Sequence, residues 1–218
     1  MEEINIMEKF SGYEEARVNG DYEKLKLGGH ICKIIEVKIE KYNNKDGKPF
    51  EQLILKIDIA EPDEQAGFYQ RKFAQDAQTD ALKAKWKGNY RITIPENDSE
   101  DYVKSNFKTL ITSVEKSNPG YVWNWEENTL VGKVFGGVFG LEEFTTDDGN
   151  IIAFTRCRFI RSTEKIFEIG IPKVRLADKS SMDYDEYIEK RKQNQSTTNN
   201  NSNNDEFRKI ESDDDLPF

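Results

Sequence analysis

The chain has 218 residues, 36% of them hydrophobic, and a net charge of −9 at pH 7, which suits one domain of ordinary size plus an appendage. No apolar run approaches the roughly 20 residues that would cross a bilayer as a helix, and Met1, Glu2 and Glu3 lack the basic start of a signal peptide, so a cytoplasmic location is expected. Cys32 and Cys157 form no CxxC pair and have His30 as their sole imidazole companion, which indicates neither a zinc site nor a disulfide framework.

In chain order, residues 1–27 are polar with scattered apolar positions, of which Phe10, Tyr13, Val18, Tyr22 and Leu25 are the ones able to dock on a core. From Gly28 the pattern is that of a strand, with Ile31, Ile35, Val37 and Ile39 expected on one face and Ile34, Glu36, Lys38 and Glu40 on the other. A turn cluster at 43–49 leads into the alternation of Leu53, Leu55, Ile57 and Ile59, completing a long hairpin. A third short strand is expected at 68–73, then an insertion carrying Lys83, Lys85, Trp86 and Lys87, and an extended piece at 90–94. Helical spacing of Val103, Phe107, Leu110, Ile111 and Val114 follows an expected cap at Ser99 and stops at Asn118, Pro119 and Gly120. Residues 130–144 and 151–161 read as an antiparallel pair around the turn Thr146, Asp147, Asp148, Gly149. A further helix is expected at about 182–192, followed by a stretch at 193–204 built almost wholly of Gln, Asn, Ser and Thr, which cannot bury enough apolar area to order.

The order strand, strand, strand, helix, strand, strand resembles the five-stranded oligonucleotide-binding (OB) barrel, in which a helix lies between the third and fourth strands. The expected fold is therefore mainly β with helices: an OB-like barrel with an N-terminal extension, an insertion and a disordered C-terminal tail. The division that follows is 1–27 extension, 28–178 OB-like domain, 179–192 helix, 193–212 disordered linker and 213–218 acidic tip.

The segment 194–218 contributes −4 of the net charge and leaves −5 for the body, so nucleic-acid binding would require a local basic stripe rather than a global field. Single strands are held without sequence preference where basic side chains alternate with aromatic faces on which bases stack. The last strand offers that combination, with Phe154, Arg156 and Arg158 on one face, Ala153, Thr155, Cys157 and Phe159 on the other, and Arg161 near its end. A second candidate groups Arg71, Lys72, Lys83, Lys85, Trp86 and Lys87, in which Trp86 is either a stacking platform or a core anchor. The first hairpin tip adds Tyr42, Lys45, Lys48 and Phe50. Trp123 and Trp125 have no basic neighbours in sequence and read mainly as packing.

Catalysis finds little support. His30 borders a strand start and reads as structural, the pairs Glu142, Glu143 and Asp147, Asp148 read as solvated, and the GxxxxGK[ST] phosphate loop is missing. No enzyme activity, cofactor or metal is expected.

The chain closes on Asp213, Asp214, Asp215, Leu216, Pro217 and Phe218. A solubilising tail gains nothing from a terminal aromatic, and Asp214, Asp215, Pro217 and Phe218 coincide by chance about once in 10⁵ sequences at average usage. Such an end fills an apolar pocket with its ring while its carboxylates meet Lys or Arg at the rim. It resembles the C-terminal tip of bacterial single-stranded DNA-binding proteins (SSB), which implies recruitment of replication, recombination and repair enzymes. The resemblance covers the tip and linker alone. The body is more similar to the divergent single-strand binders of bacteriophages and mobile elements, which implies a host-type tip that host enzymes accept. Residues 193–212 would then tether the tip roughly 25 Å from the body if flexible.

The function expected is a sequence-nonspecific single-stranded DNA-binding protein that protects exposed strands and recruits host enzymes through its tip. The rivals are an adaptor that recruits or blocks SSB-interacting enzymes without holding DNA, and a recombination accessory enzyme. Subunit number is open, a homo-oligomer included.

Overall fold

A computed structural model describes Ser11 and residues 23–198. The fold is mainly β with three helices, and its described residues form a mixed sheet of seven strands. Strand β1 (Gly28–Asn43) and β2 (Pro49–Ile59) make the long antiparallel hairpin. Its turn is held by Asn44, whose Oδ1 accepts from the backbone N–H of Asp46 at 2.9 Å and of Lys48 at 2.8 Å. β3 (Asn89–Thr93) pairs with β2, β4 (Val134–Thr145) with β1, and β5 (Ile151–Arg161) with β4, all antiparallel. Two-residue strands β6 (Val174–Arg175) and β7 (Ser181–Met182) continue the sheet, β6 lying parallel to β4 at Glu142. The order is β3-β2-β1-β4-β5, with β6 and β7 beside β4 beyond the start of β1.

Strand alternation sends Ile34 of β1, Leu53, Leu55 and Ile57 of β2, Ile92 of β3, Phe135 and Phe139 of β4 and Ile160 of β5 into one core. Helix α2 (Asp101–Ser117) lies across β3, β4 and β5 and adds Phe107, Leu110 and Val114 to it, each burial contributing roughly 1.5–3 kcal/mol. Leu25 also joins the core, as its apolar position in the N-terminal segment suggests, whereas Phe10, Tyr13, Val18 and Tyr22 lie outside the described residues. A bulge between Ile34 and Glu36 changes the expected face assignment of β1. It keeps both Ile34 and Val37 buried and leaves Ile35 and Ile39 exposed.

The expected strand at 68–73 is instead the start of helix α1 (Phe68–Thr79). Its N-terminus is set from a distance: Gly67 takes a left-handed conformation and offers no side-chain cap, and the Asp58 carboxylate of β2 accepts from the N–H of Tyr69 at 2.8 Å and of Gln70 at 3.2 Å. That places a buried carboxylate on the positive end of the helix and satisfies two orphan donors. Ser99 does not cap α2. Its hydroxyl accepts from the Glu96 N–H at 2.7 Å, and the helix begins after Glu100. The strand expected at 130–144 starts at Val134, because Glu127–Leu130 forms a short 3-10 helix that buries Leu130. Helix α3 (Tyr184–Thr198) runs six residues into the expected linker, whose remainder lies outside the described residues.

His30 is buried and engaged on both ring nitrogens, Nδ1 with Asp63 Oδ2 at 3.0 Å and Nε2 with the Lys26 carbonyl at 2.9 Å. Asp63 also accepts from the N–H of Ile31 at 3.2 Å and of Gln65 at 3.0 Å, so the pair ties the N-terminal segment and the β2–α1 loop to β1. No helix among the described residues is long and apolar enough to cross a membrane.

Replacing Asp58 with Ala removes the acceptor of three backbone N–H groups, those of Ile59 and Tyr69 buried and that of Gln70 part-buried, and is expected to lower stability by about 1–3 kcal/mol, with Asp58→Asn losing less. Urea unfolding measures the first effect, and faster amide exchange at Tyr69 and Gln70 locates it. Burial also pushes the Cys157 thiol and the Tyr90 phenol each up to about 12, and raises the Cys32 thiol well above its ordinary value. These folded groups keep protons that the unfolded chain releases, so stability is present below about pH 8.5 and falls as pH rises toward 12. The urea midpoint should therefore be lower at pH 10.5 than at pH 8, and an equal or higher midpoint contradicts the assignment.

Candidate nucleic-acid interface

Phe135 and Phe139 face the main core, the alternate positions of β4 lie on the opposite face, where Val138 is buried with Ile31 and Ile166, and the register carries their β5 partners with them. Glu142 pairs with Phe154, Gly140 with Arg156, Val138 with Phe159 and Gly136 with Arg161. Between Val138 and Phe139 the register shifts, because β5 carries one extra residue, Arg158. Phe159, expected on the face of Ala153, Thr155 and Cys157, therefore lies on the outer face and is 43% exposed.

The outer face of β5 holds two aromatic-arginine clusters. Toward the hairpin turn, the Phe144 and Phe154 rings lie 5.8 Å apart, and the Arg156 guanidinium sits 5.2 Å from the Phe144 ring. Toward the strand's end, Arg158 and Arg161 flank the Phe159 ring at 5.9 and 5.8 Å. The clusters are spread over roughly 20 Å of strand. None of these three arginines forms an ion pair with a carboxylate among the described residues. Arg158 lies across β4, its Nη1 donating to the Leu141 carbonyl at 3.3 Å. A glycine at position 140 leaves it that room, since a Cβ there would sit 3.3 Å from Arg158 Cγ and 2.5 Å from Pro172. Burial lowers the Arg158 pKa, Glu142 opposes that shift, and Arg175 adds to it. Glu142 is itself matched by Arg175 at 3.2 Å.

The first hairpin tip forms a smaller cluster. The Tyr42 and Phe50 rings lie 5.8 Å apart, and Arg91 of β3 donates to the Tyr42 hydroxyl at 3.2 Å. That hydroxyl donates to Glu40, which raises the Tyr42 pKa. Lys45 and Lys48 are exposed in the turn.

The candidates on and after α1 sit in a different electrostatic setting. Arg71 pairs with Glu23 at 2.9 Å, Lys72 and Lys87 both meet Asp76 at 3.1 and 3.3 Å, and Lys83 approaches Asp80 at 3.6 Å. Lys85 is exposed. Trp86 packs against the core, its Nε1 donating to the carbonyls of Ile57 and Gly88, each at 3.1 Å, with Phe73 and Lys56 over its ring. The geometry fits the anchor reading of Trp86, and the surrounding cations are largely matched by carboxylates.

Trp123 packs on Phe107, as the packing reading expects, but Trp125 is 78% exposed, stacks on Trp123 with ring centroids 4.7 Å apart, and has φ 69°. Glu143 accepts from the Ala177 N–H at 3.3 Å, and Asp148 closes the β4–β5 turn with Thr146 and Asn150. Among the described residues no three His, Cys, Asp or Glu side chains are grouped to hold a metal ion. The acidic tip at 213–218 lies outside the described residues.

No protein-family model and no curated protein matches the chain.

Sequence reasoning missed Phe144, Phe159 and Arg91. Phe144 and Arg91 were visible as an aromatic and a cation at strand positions, but no local signal marks the bulge that exposes Phe159.

The two aromatic settings differ measurably. Trp86→Ala removes a core contact and is expected to destabilise the fold by about 2–4 kcal/mol, whereas Phe159→Ala is expected to cost under about 1 kcal/mol. Chemical denaturation of the two variants checks this, and a larger loss at Phe159 would contradict its outward placement.

Proposed function

We propose that the protein binds single-stranded DNA without sequence preference on the outer face of β5, shields exposed strands, and recruits other enzymes through the tip at 213–218. The observation that carries this reading is the run Phe154, Arg156, Arg158, Phe159 and Arg161, in which rings alternate with cations that form no ion pair among the described residues. A face meant only for solvent has no need of one exposed and one half-buried ring flanked by three arginines. Adjacent Phe144 supplies a third ring at the hairpin end, and Tyr42, Phe50, Lys48 and Arg91 offer a further contact at the first hairpin. The charge-matched cluster around Arg71, Lys72, Lys83, Lys85, Trp86 and Lys87 is the weaker candidate for the strand.

We read the fold as OB-like. The order β3-β2-β1-β4-β5, with α2 lying between β3 and β4 in sequence and across β3, β4 and β5 in space, supports that reading. Helix α1 is then an insertion between the second and third strands, and β6, β7 and α3 are additions. The loops at 44–48 and 146–150 correspond to the two that flank oligonucleotides in such domains. A cytoplasmic site of action and enzymes of a bacterial host as partners belong to the same proposal.

The acidic body, with a pI of about 4.9 for the chain, favours a second reading, an adaptor that works through its tip without holding DNA. Fluorescence polarisation with a labelled oligo-dT and a duplex of equal length separates the two. The proposal expects single-strand-selective affinity that falls steeply with salt, Phe159→Ala weakening it by about 5–150-fold through lost stacking and Arg156→Ala flattening the salt slope by about 0.7. No binding at low salt would leave the adaptor reading standing.

A further inference from the structure

The flank of α2 opposite Trp123 forms an open groove whose second wall is the end of β5 and the residue after it. Lys108 and Lys116 on the helix face Arg161 and Ser162 across it, with Ser105 and Thr112 between the lysines and beyond. Lys108 and Lys116 are exposed and neither pairs with a carboxylate among the described residues. None of the eight lining residues is acidic, which stands out in a chain of net charge −9. The walls are held in place, because the Thr163 N–H donates to Ser117 Oγ at 3.0 Å and so fastens the exit of β5 to α2. The two lysines are about 12 Å apart along the helix axis.

Arg161 belongs both to this groove and to the Phe159 cluster. A strand stacked on β5 therefore leaves it directly into a channel of cations and hydroxyls. We propose that the groove is a second phosphate-binding track, which takes the backbone of single-stranded DNA beyond β5 and lengthens the site without adding base contacts; this rests on the single-strand reading above. The chemistry suits phosphates: hydroxyls and ammonium groups contact the backbone, and no aromatic side chain lines the groove to stack a base. The same lining argues against the acidic tip as occupant, because no apolar side chain is present to receive Leu216, Pro217 or Phe218.

The test compares wild type with the double variant Lys108→Gln, Lys116→Gln on oligo-dT of about 5 and about 20 nucleotides, a range spanning the site sizes of OB domains. Both lysines are exposed, and a matching thermal midpoint verifies that the variant is folded. The track predicts unchanged affinity for the short oligonucleotide and about tenfold weaker binding of the long one, with the salt slope reduced by about 1.4 for two lost phosphate contacts. Wild-type binding with an unaffected long oligonucleotide overturns the track and leaves the β5 site intact. Equal losses at both lengths also overturn it, since the lysines would then act as diffuse charge. Wild type that binds neither length overturns the single-strand reading itself. A peptide of residues 213–218 that binds wild type but not the variant, while long-oligonucleotide binding is unaffected by the substitutions, assigns the groove to the tip and overturns the proposal.

Discussion

One extra residue in β5 decides what that strand offers to solvent. With unbroken alternation, Cys157 and Phe159 would share a face, and Ile160 could not reach the core from the register that β4 imposes. The bulge at Arg158 resolves the conflict by letting Cys157 pack inward before it and Ile160 after it, which turns Phe159 and Arg161 outward together. The proposed site follows from that single insertion. β4 accommodates it with glycines at 136 and 140, opposite Arg161 and Arg156, where a Cβ would collide with the chain that follows β5.

The distribution of charge matters more than its sum. The protein is acidic overall, yet its cations fall into two kinds of setting. Those on and after α1 are tied to Glu23, Asp76 and Asp80 and serve to hold an inserted helix and its following loop in place. Those on β5 and the adjoining flank of α2 face rings, hydroxyls or water. A polyanion gains little from the first kind, because binding it must break existing ion pairs, and gains fully from the second.

Much of the sheet was legible in the sequence because its strands are long and alternate: the β1–β2 hairpin, β3 at 89–93, α2 and the β4–β5 pair all lie close to where periodicity places them. What the sequence concealed depends on contacts between distant residues. Helix α1 reads locally as a strand because its N-terminal partner, Asp58, stands on a neighbouring strand. The bulges at Ile35 and Arg158 arise from pairing with β2 and β4, so Ile31 and Ile35 do not share the face of Val37, and Phe159 does not share that of Cys157. Of the candidate site residues, Phe154 and Arg156 share the face that their spacing indicates, with the Arg158 side chain lying across β4, whereas Arg161 reaches that face only through the bulge. Trp86 could be resolved only by its hydrogen bonds to Ile57 and Gly88, and Trp125 only by its exposure.

The central claim is that a single strand stacks on the outer face of β5, and photocrosslinking tests it most directly. Protein saturated with a 5-bromodeoxyuridine oligonucleotide is irradiated, digested, and mapped by peptide mass. The account predicts adducts at Phe154 and Phe159, on the β5 peptides. Adducts confined to Trp86 or Trp125, or none from a fully bound complex, would contradict it.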